Sequence, residues 1–128
     1  MNKTSVLLLA SILTFSSYAN AEWTYLARNK FGHKIYVDYD RISKKNGFTY
    51  FWTLTNFIEP QALNTMSLIG FHMLDCKMPR QFMILQVTNT DQYFGDGNEI
   101  DTFKPPENWI VPLPETVMES LLNEVCKR

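Results

Sequence analysis

The segment from Asn46 to Thr55 places the strongest constraint on the fold, because it joins a turn dipeptide to a regular alternation of side chains. Asn46-Gly47 adopts the positive φ angles of a tight hairpin turn at low energetic cost. After it, every second position is large and apolar, namely Phe48, Tyr50, Trp52 and Leu54. The positions between them hold three threonines and Phe51. A period of two is that of a β-strand, so the segment predicts one strand of an antiparallel hairpin.

Four other segments have the alternation or the composition of strands: 23–27, 34–37, 66–76 and 81–88. The last two are long and are separated by the turn Met78-Pro79-Arg80, so we expect a second antiparallel hairpin. Gly70 lies inside the first of them, where a glycine indicates a bulge or the close approach of another group. Residues 89–108 are rich in glycine, proline and acidic side chains, which predicts an irregular loop with a candidate short strand at 92–94.

The C-terminal residues have the features of an α-helix. Pro114 suits a first helical position, and Glu115 and Glu119 lie near the positive end of the helix. Apolar residues recur on one face at helical spacing: Val117, Leu121, Leu122 and Val125. We therefore predict a helix that packs on the sheet.

Residues 1–21 have the three parts of a secretory signal peptide. Lys3 gives a positive start, residues 6–15 are mainly apolar, and Ala19-Asn20-Ala21 is a small-x-small cleavage site. The apolar run is about half of the ~20 residues that cross a bilayer, which argues against a membrane anchor. We expect cleavage before Glu22, a single domain over 22–128 without a membrane-spanning segment, and no lipid anchor, because no cysteine follows the cleavage site.

Export changes how the two cysteines are interpreted, because an oxidising compartment favours a disulfide. Cys76 and Cys126 are the only pair, and bridging them closes a loop that stabilises the fold by about 4 kcal/mol. A two-thiol metal site and an intermolecular bridge remain as alternatives. The predicted fold class is α+β: a single antiparallel β-sheet of about five to six strands, with a C-terminal α-helix packed on it and tied by one disulfide.

Charge and motif content exclude several classes of function. The 12 Lys+Arg against 13 Asp+Glu residues lack the basic excess of a nucleic-acid-binding protein. His33 and His72 have no nucleophile arrangement around them, and there is no phosphate-binding glycine loop and no zinc spacing. His33 is interpreted as a turn residue and His72 as a half-buried or solvent-facing strand residue. We therefore predict no catalytic residue, no metal site and no cofactor.

Two groups of acidic residues are candidate sites. Oxygen ligands suited to calcium crowd the loop after residue 90: Asp91, Asp96, Asn98, Glu99 and Asp101. Their spacing is wrong for an EF-hand, so a solvated loop is favoured and calcium binding is left open. Asp38 and Asp40 share one face of an extended segment, and we interpret them as solvated acids at a strand end.

Aromatic residues make up 14% of the chain and crowd its first half. Tyrosine and tryptophan are favoured at binding surfaces, and aromatic residues also fill small β-rich cores. We expect most of them in the core. Phe51, Phe57 and Tyr93 are predicted to be exposed and are the candidate binding residues.

Short motifs recur over nearly all of residues 22–128: Trp23, Ile35-Tyr36-Val37-Asp38, Tyr50-Phe51-Trp52, Asp75-Cys76-Lys77 with Arg80 behind it, Trp109 and Pro112, and Val125-Cys126. With these motifs the chain resembles the surface-adhesin protein E family of Gram-negative bacteria. The resemblance implies an antiparallel sheet with a C-terminal helix tied by a disulfide. It also implies display on the outer surface and adhesion to host matrix and serum proteins such as vitronectin and laminin.

The leading hypothesis is thus an exported, non-enzymatic binding protein, with a homodimer through an exposed strand edge as its candidate assembly. The absence of a lipid-anchor cysteine supports an alternative, a soluble periplasmic accessory protein that binds a small molecule or an envelope partner. An enzyme that uses the acidic loop and His72 is the third hypothesis.

Overall fold

The structure, a computed structural model, describes residues 21–128, so the predicted signal peptide, including Ala19, lies outside the described residues except for Ala21. Seven strands form one antiparallel sheet: β1 (Thr24–Arg28), β2 (Lys34–Val37), β3 (Ser43–Lys45), β4 (Phe48–Gln61), β5 (Thr65–Asp75), β6 (Gln81–Thr90) and β7 (Glu99–Phe103). One α-helix, α1 (Val117–Cys126), follows them, and short 3-10 turns lie at Tyr39–Arg41, Ala62–Asn64 and Tyr93–Gly95.

The strand order is β1-β2-β4-β5-β6-β7, and β3 pairs with β4 beyond the end of β2. The predicted turn joins β3 to β4, with φ angles of 53° at Asn46 and 82° at Gly47. Within the β4–β5 hairpin, Trp52 lies opposite Phe71 and Thr53 opposite Gly70. The predicted fold class is confirmed, with seven strands instead of five to six.

β7 is a strand that the sequence pattern missed, since residues 89–108 were expected to be irregular. It pairs with the end of β6, where the Thr88 and Thr102 hydroxyls are 2.9 Å apart and Asn89 donates to Asp101. Its residues are mainly polar and exposed, so no alternation of burial marks it. Residues 93–95 form a 3-10 turn, so the candidate strand at 92–94 was wrong.

The core lies between α1 and one face of the sheet. Leu121, Leu122 and Val125 of the helix are buried against the sheet residues Val37, Phe51, Leu74 and Phe82. The helix begins at Val117 because the Thr116 hydroxyl accepts a hydrogen bond from the Glu119 amide and so acts as its N-cap. The predicted disulfide is confirmed: Cys76, just past β5, bonds Cys126 in the last turn of α1, with Cα atoms 5.8 Å apart.

The prediction that Phe51 is exposed was wrong, because its side chain has 0% exposure. Successive side chains of a strand point to opposite faces. The helix covers the face that carries Thr49, Phe51 and Thr53, all of them buried. The more apolar set of β4 side chains therefore lies on the face away from α1.

Candidate functional site

On the face away from α1, five side chains stack on one another in a row that we call the aromatic ladder. Its members are, in order, Trp23, Arg41, Trp52, Phe71 and Tyr50. The Trp52 and Phe71 ring centroids are 4.5 Å apart, and Phe71 and Tyr50 are 5.9 Å apart. The Arg41 guanidinium carbon lies 5.1 Å from the Trp52 ring centre and 5.6 Å from that of Trp23. The ladder thus spans neighbouring strands without a helix above it.

Asp38 fixes the position of Arg41 in the ladder. The Arg41 Nε donates to an Asp38 carboxylate oxygen at 2.5 Å, and the other oxygen accepts from the Asp40 amide. Asp38 has 1% exposure, so the interpretation of this residue as a solvated acid was wrong. A carboxylate without contact to water is stabilised by such charge-assisted bonds, and here they orient the guanidinium between two indoles.

Two further aromatic side chains lie beside the ladder, whose own members are half-buried. Phe48 stacks on Trp109 with ring centroids 5.7 Å apart, and Trp109 has 38% exposure. A cleft of about 590 Å³ opens between Trp23, Trp52, Ile69 and Phe94. The surface therefore combines stacked rings with a recess beside them.

The two remaining candidate binding residues lie together, in a smaller groove of about 310 Å³. Tyr93 is 41% exposed, whereas Phe57 is half-buried and packs edge-on to His33 at 5.0 Å. Their binding role stays a prediction. The structure does not bring Phe51 to this groove, because it lies under the helix on the other face.

Carboxylates of the acidic loop hold the loop in shape. Asp91 accepts hydrogen bonds from the backbone amide and the side-chain amide of Asn98, at 2.7 and 3.1 Å. Asp101 accepts from Asn89 across the β6–β7 pair at 2.8 Å. Within residues 21–128, no three His, Cys, Asp or Glu side chains come together in a group that could hold a metal ion.

A second candidate site is a cavity of about 670 Å³ between the first turn of α1 and the sheet, on the helix side. His72 and Thr53 line it, and His72 Nε2 lies 2.8 Å from Thr53 Oγ1. His72 has 4% exposure, so the interpretation of it as a half-buried or solvent-facing residue was wrong. Its ring stacks on Phe51 at 4.8 Å, and burial lowers the pKa of His72 to about 4.

Gly70 makes room for this pair of polar side chains. A Cβ atom at position 70 would lie 2.7 Å from His72 Nε2 and 3.0 Å from Thr53 Oγ1. The close approach that this glycine indicated is therefore that of the His72 ring folded back along its own strand. Any larger residue would displace the imidazole or the hydroxyl.

We expect acid to destabilise the protein through His72. Its pKa is about 4 in the folded chain against 6.5 without burial, so the unfolded state binds more protons between these values. Its contribution is complete above pH 6.5 and is lost as the pH falls to 4, which costs about 3 kcal/mol of unfolding free energy. Urea denaturation between pH 7 and 4 measures this loss. This loss of unfolding free energy should disappear in His72→Phe and persist in His33→Phe. If the unfolding free energies of wild type and His72→Phe fall in parallel with pH, the loss does not come from His72.

The chain presents outer edges at β1 and β7, and the homodimer through a strand edge stays a prediction. No helix in the described part of the chain is long and apolar enough to cross a lipid bilayer.

Solved structures of protein E from Haemophilus influenzae have a similar fold. One is 17% identical, with a TM-score of 0.64 over 82% of this chain and 83% of that chain. Its selenomethionine form is 18% identical, with a TM-score of 0.63 over 81% and 86%. The protein E structure from a non-typeable strain is 16% identical, with a TM-score of 0.60 over 80% and 75%. At these identities the likeness establishes the fold alone.

Comparison with curated protein sequences finds no significant match. The family model described as surface-adhesin protein E matches residues 23–127, which is almost the whole of the described chain. The motifs that carried the resemblance in the sequence lie within this match. The chain belongs to the surface-adhesin protein E family.

Proposed function

We propose that this protein is an exported, non-enzymatic adhesin that binds host matrix or serum proteins through the aromatic ladder. The observation that carries the proposal is the ladder itself, a row of stacked side chains on the sheet face away from α1. Tryptophan, tyrosine and arginine are the residues that most often dominate the energy of protein interfaces. Family membership supports the same reading, since the family is named for surface adhesion.

The geometry of the ladder suits a protein partner. Ring faces stack on one another, so Trp52 lies between Arg41 and Phe71 and keeps little rotational freedom. Side chains that are ordered before binding lose little conformational entropy when a partner arrives. Because the ring faces are occupied, the ladder offers ring edges and the adjoining cleft, which favours a surface of complementary shape.

The location that we propose is the cell surface, reached by export with cleavage before Glu22. Exposure to protease on intact cells, with the mature N-terminus identified by mass spectrometry, tests it. Digestion on intact cells supports surface display. Protection until the periplasm is released would support the alternative, an accessory protein that binds an envelope partner or a small molecule, which the helix-side cavity favours.

The adhesion test compares Trp52→Ala with Tyr93→Ala on immobilised vitronectin and laminin, by surface plasmon resonance. Truncation of a central tryptophan costs 2 kcal/mol or more at an interface, so Trp52→Ala should weaken binding by about thirtyfold. Tyr93 lines the smaller groove and not the cleft beside the ladder, so Tyr93→Ala should bind as wild type does. Loss of binding in Tyr93→Ala alone would move the contact surface to that groove, and no binding by wild type to either protein would overturn the proposal.

A further inference from the structure

The helix-side cavity has the size and lining of a small-molecule site. Its volume of about 670 Å³ lies within the usual range of ligand pockets. Its walls are mainly apolar and include Phe31, Ile35, Leu68 and Leu121. The cavity lies on the face opposite the aromatic ladder, so a ligand here is independent of the adhesion proposed above.

The hydrogen bonds of the His72 ring indicate which polar group such a ligand needs. Nδ1 is buried and has no hydrogen-bond partner within residues 21–128, whereas Nε2 lies 2.8 Å from the Thr53 hydroxyl. If Nε2 carried the proton, the Thr53 hydroxyl would accept it, and both Nδ1 and the hydroxyl proton would lack partners. If Nδ1 carries the proton, the hydroxyl donates to Nε2 and a single group is left over. The second tautomer leaves fewer unsatisfied groups and is the one assigned.

The remaining group is then an N–H donor on a neutral imidazole. A buried donor without an acceptor destabilises the fold, and such groups are rare in folded proteins. The fold nevertheless keeps the His72 ring in this position: the ring stacks on Phe51, and the missing side chain of Gly70 leaves room for it. Other side chains cover Nδ1 in this structure, so a small shift of the residues around His72 would let an acceptor oxygen reach it from the cavity and remove that destabilisation.

We propose that the cavity binds a small, mainly apolar molecule that carries one hydrogen-bond-accepting oxygen. The apolar body packs between Leu68 on the sheet and Leu121 on the helix, and the oxygen accepts from His72 Nδ1. The charged residues of the lining are exposed to solvent, namely Arg28, Lys30 and Glu115. A carboxylate at His72 would have Nδ1 as its one buried donor, so a neutral oxygen fits better.

The test uses acetophenone and ethylbenzene, which have similar shapes but differ in the carbonyl oxygen, with the full mature chain and NMR titration as the readout. In wild type the hydrogen bond offsets the desolvation of the carbonyl. His72→Phe keeps an aromatic ring on Phe51 but removes the donor. The ratio of the acetophenone affinity to the ethylbenzene affinity should therefore be about tenfold lower in His72→Phe than in wild type. That factor corresponds to one net hydrogen bond.

Two further measurements keep the proposal falsifiable if His72→Phe is poorly folded. Leu68→Trp fills the cavity from the sheet and should abolish binding of both compounds while His72 stays intact. Long-range ¹H–¹⁵N spectra of wild type at pH 7 should show the proton of His72 on Nδ1, and its resonance should shift with acetophenone. A proton on Nε2, unchanged affinity in Leu68→Trp, or no binding of either compound would overturn the proposal.

Discussion

Replacement of both Cys76 and Cys126 by serine is expected to lower the free energy of unfolding by about 4 kcal/mol. The bridge spans 50 residues of sequence, so its loss frees a long loop in the unfolded chain and raises the entropy of that state. Small domains have total stabilities of about 5–15 kcal/mol, so this loss removes a large share. The last turn of α1 also loses its covalent tie to the end of β5.

Urea denaturation of the double variant and of wild type measures this effect. Wild type in a reducing agent is the matched control, because it breaks the same bond without changing the sequence, and it should give the same loss. A change below about 1 kcal/mol would contradict the entropic account, and the unfolded chain would then already be compact.

Phe51→Ala is expected to cost about 3–5 kcal/mol of stability, the range for deletion of a buried aromatic ring. Phe51 has no exposure and packs between His72 and the helix residues of the core. The cavity left behind would lie at the centre of the sheet–helix interface, where the long β4–β5 hairpin limits relaxation. Thermal and urea denaturation measure the loss.

Tyr50→Ala provides the matched control, because it removes a neighbouring ring from the opposite face of the same strand. Tyr50 is half-buried at the end of the aromatic ladder, so this variant should lose less stability and more adhesion. Phe51→Ala, measured at a temperature at which it is folded, should keep its affinity for the host protein. The reverse pattern would assign binding to the helix side of the sheet.

Local sequence patterns predicted most of the fold. Alternation over residues 48–55, the Asn46-Gly47 turn and the spacing of Leu121, Leu122 and Val125 each specify an element by short-range rules. The disulfide followed from two cysteines and an export signal. β7 could not be found in this way, because most of its pairs with β6 join polar residues and β7 itself has no buried face.

The sites were less predictable, because each depends on which face a residue occupies. Both sets of side chains in β4 contain large aromatic residues, so alternation alone did not tell which set the helix covers, and Phe51 was assigned to the wrong side. Arg41 reaches Trp52 through the turn after β2, a contact that no motif encodes. Gly70 was the local feature that indicated the packing of His72. It predicted the close approach of another group, but not that this group is the His72 ring.

The hairpin turn at Asn46-Gly47 sets the register of β4 and thereby the face on which the aromatic ladder lies. Side chains of β4 alternate between the two faces, so a shift of one residue in its pairing would carry Trp52 under the helix and Phe51 into water. Insertion or deletion of one residue between the turn and Trp52 would thus exchange the β4 side chains that face α1 with those that face away from it. Point substitutions along the ladder would change the chemistry of one face only. The number of residues between the turn and Trp52, more than their identity, therefore determines which side chains lie on the sheet face away from α1.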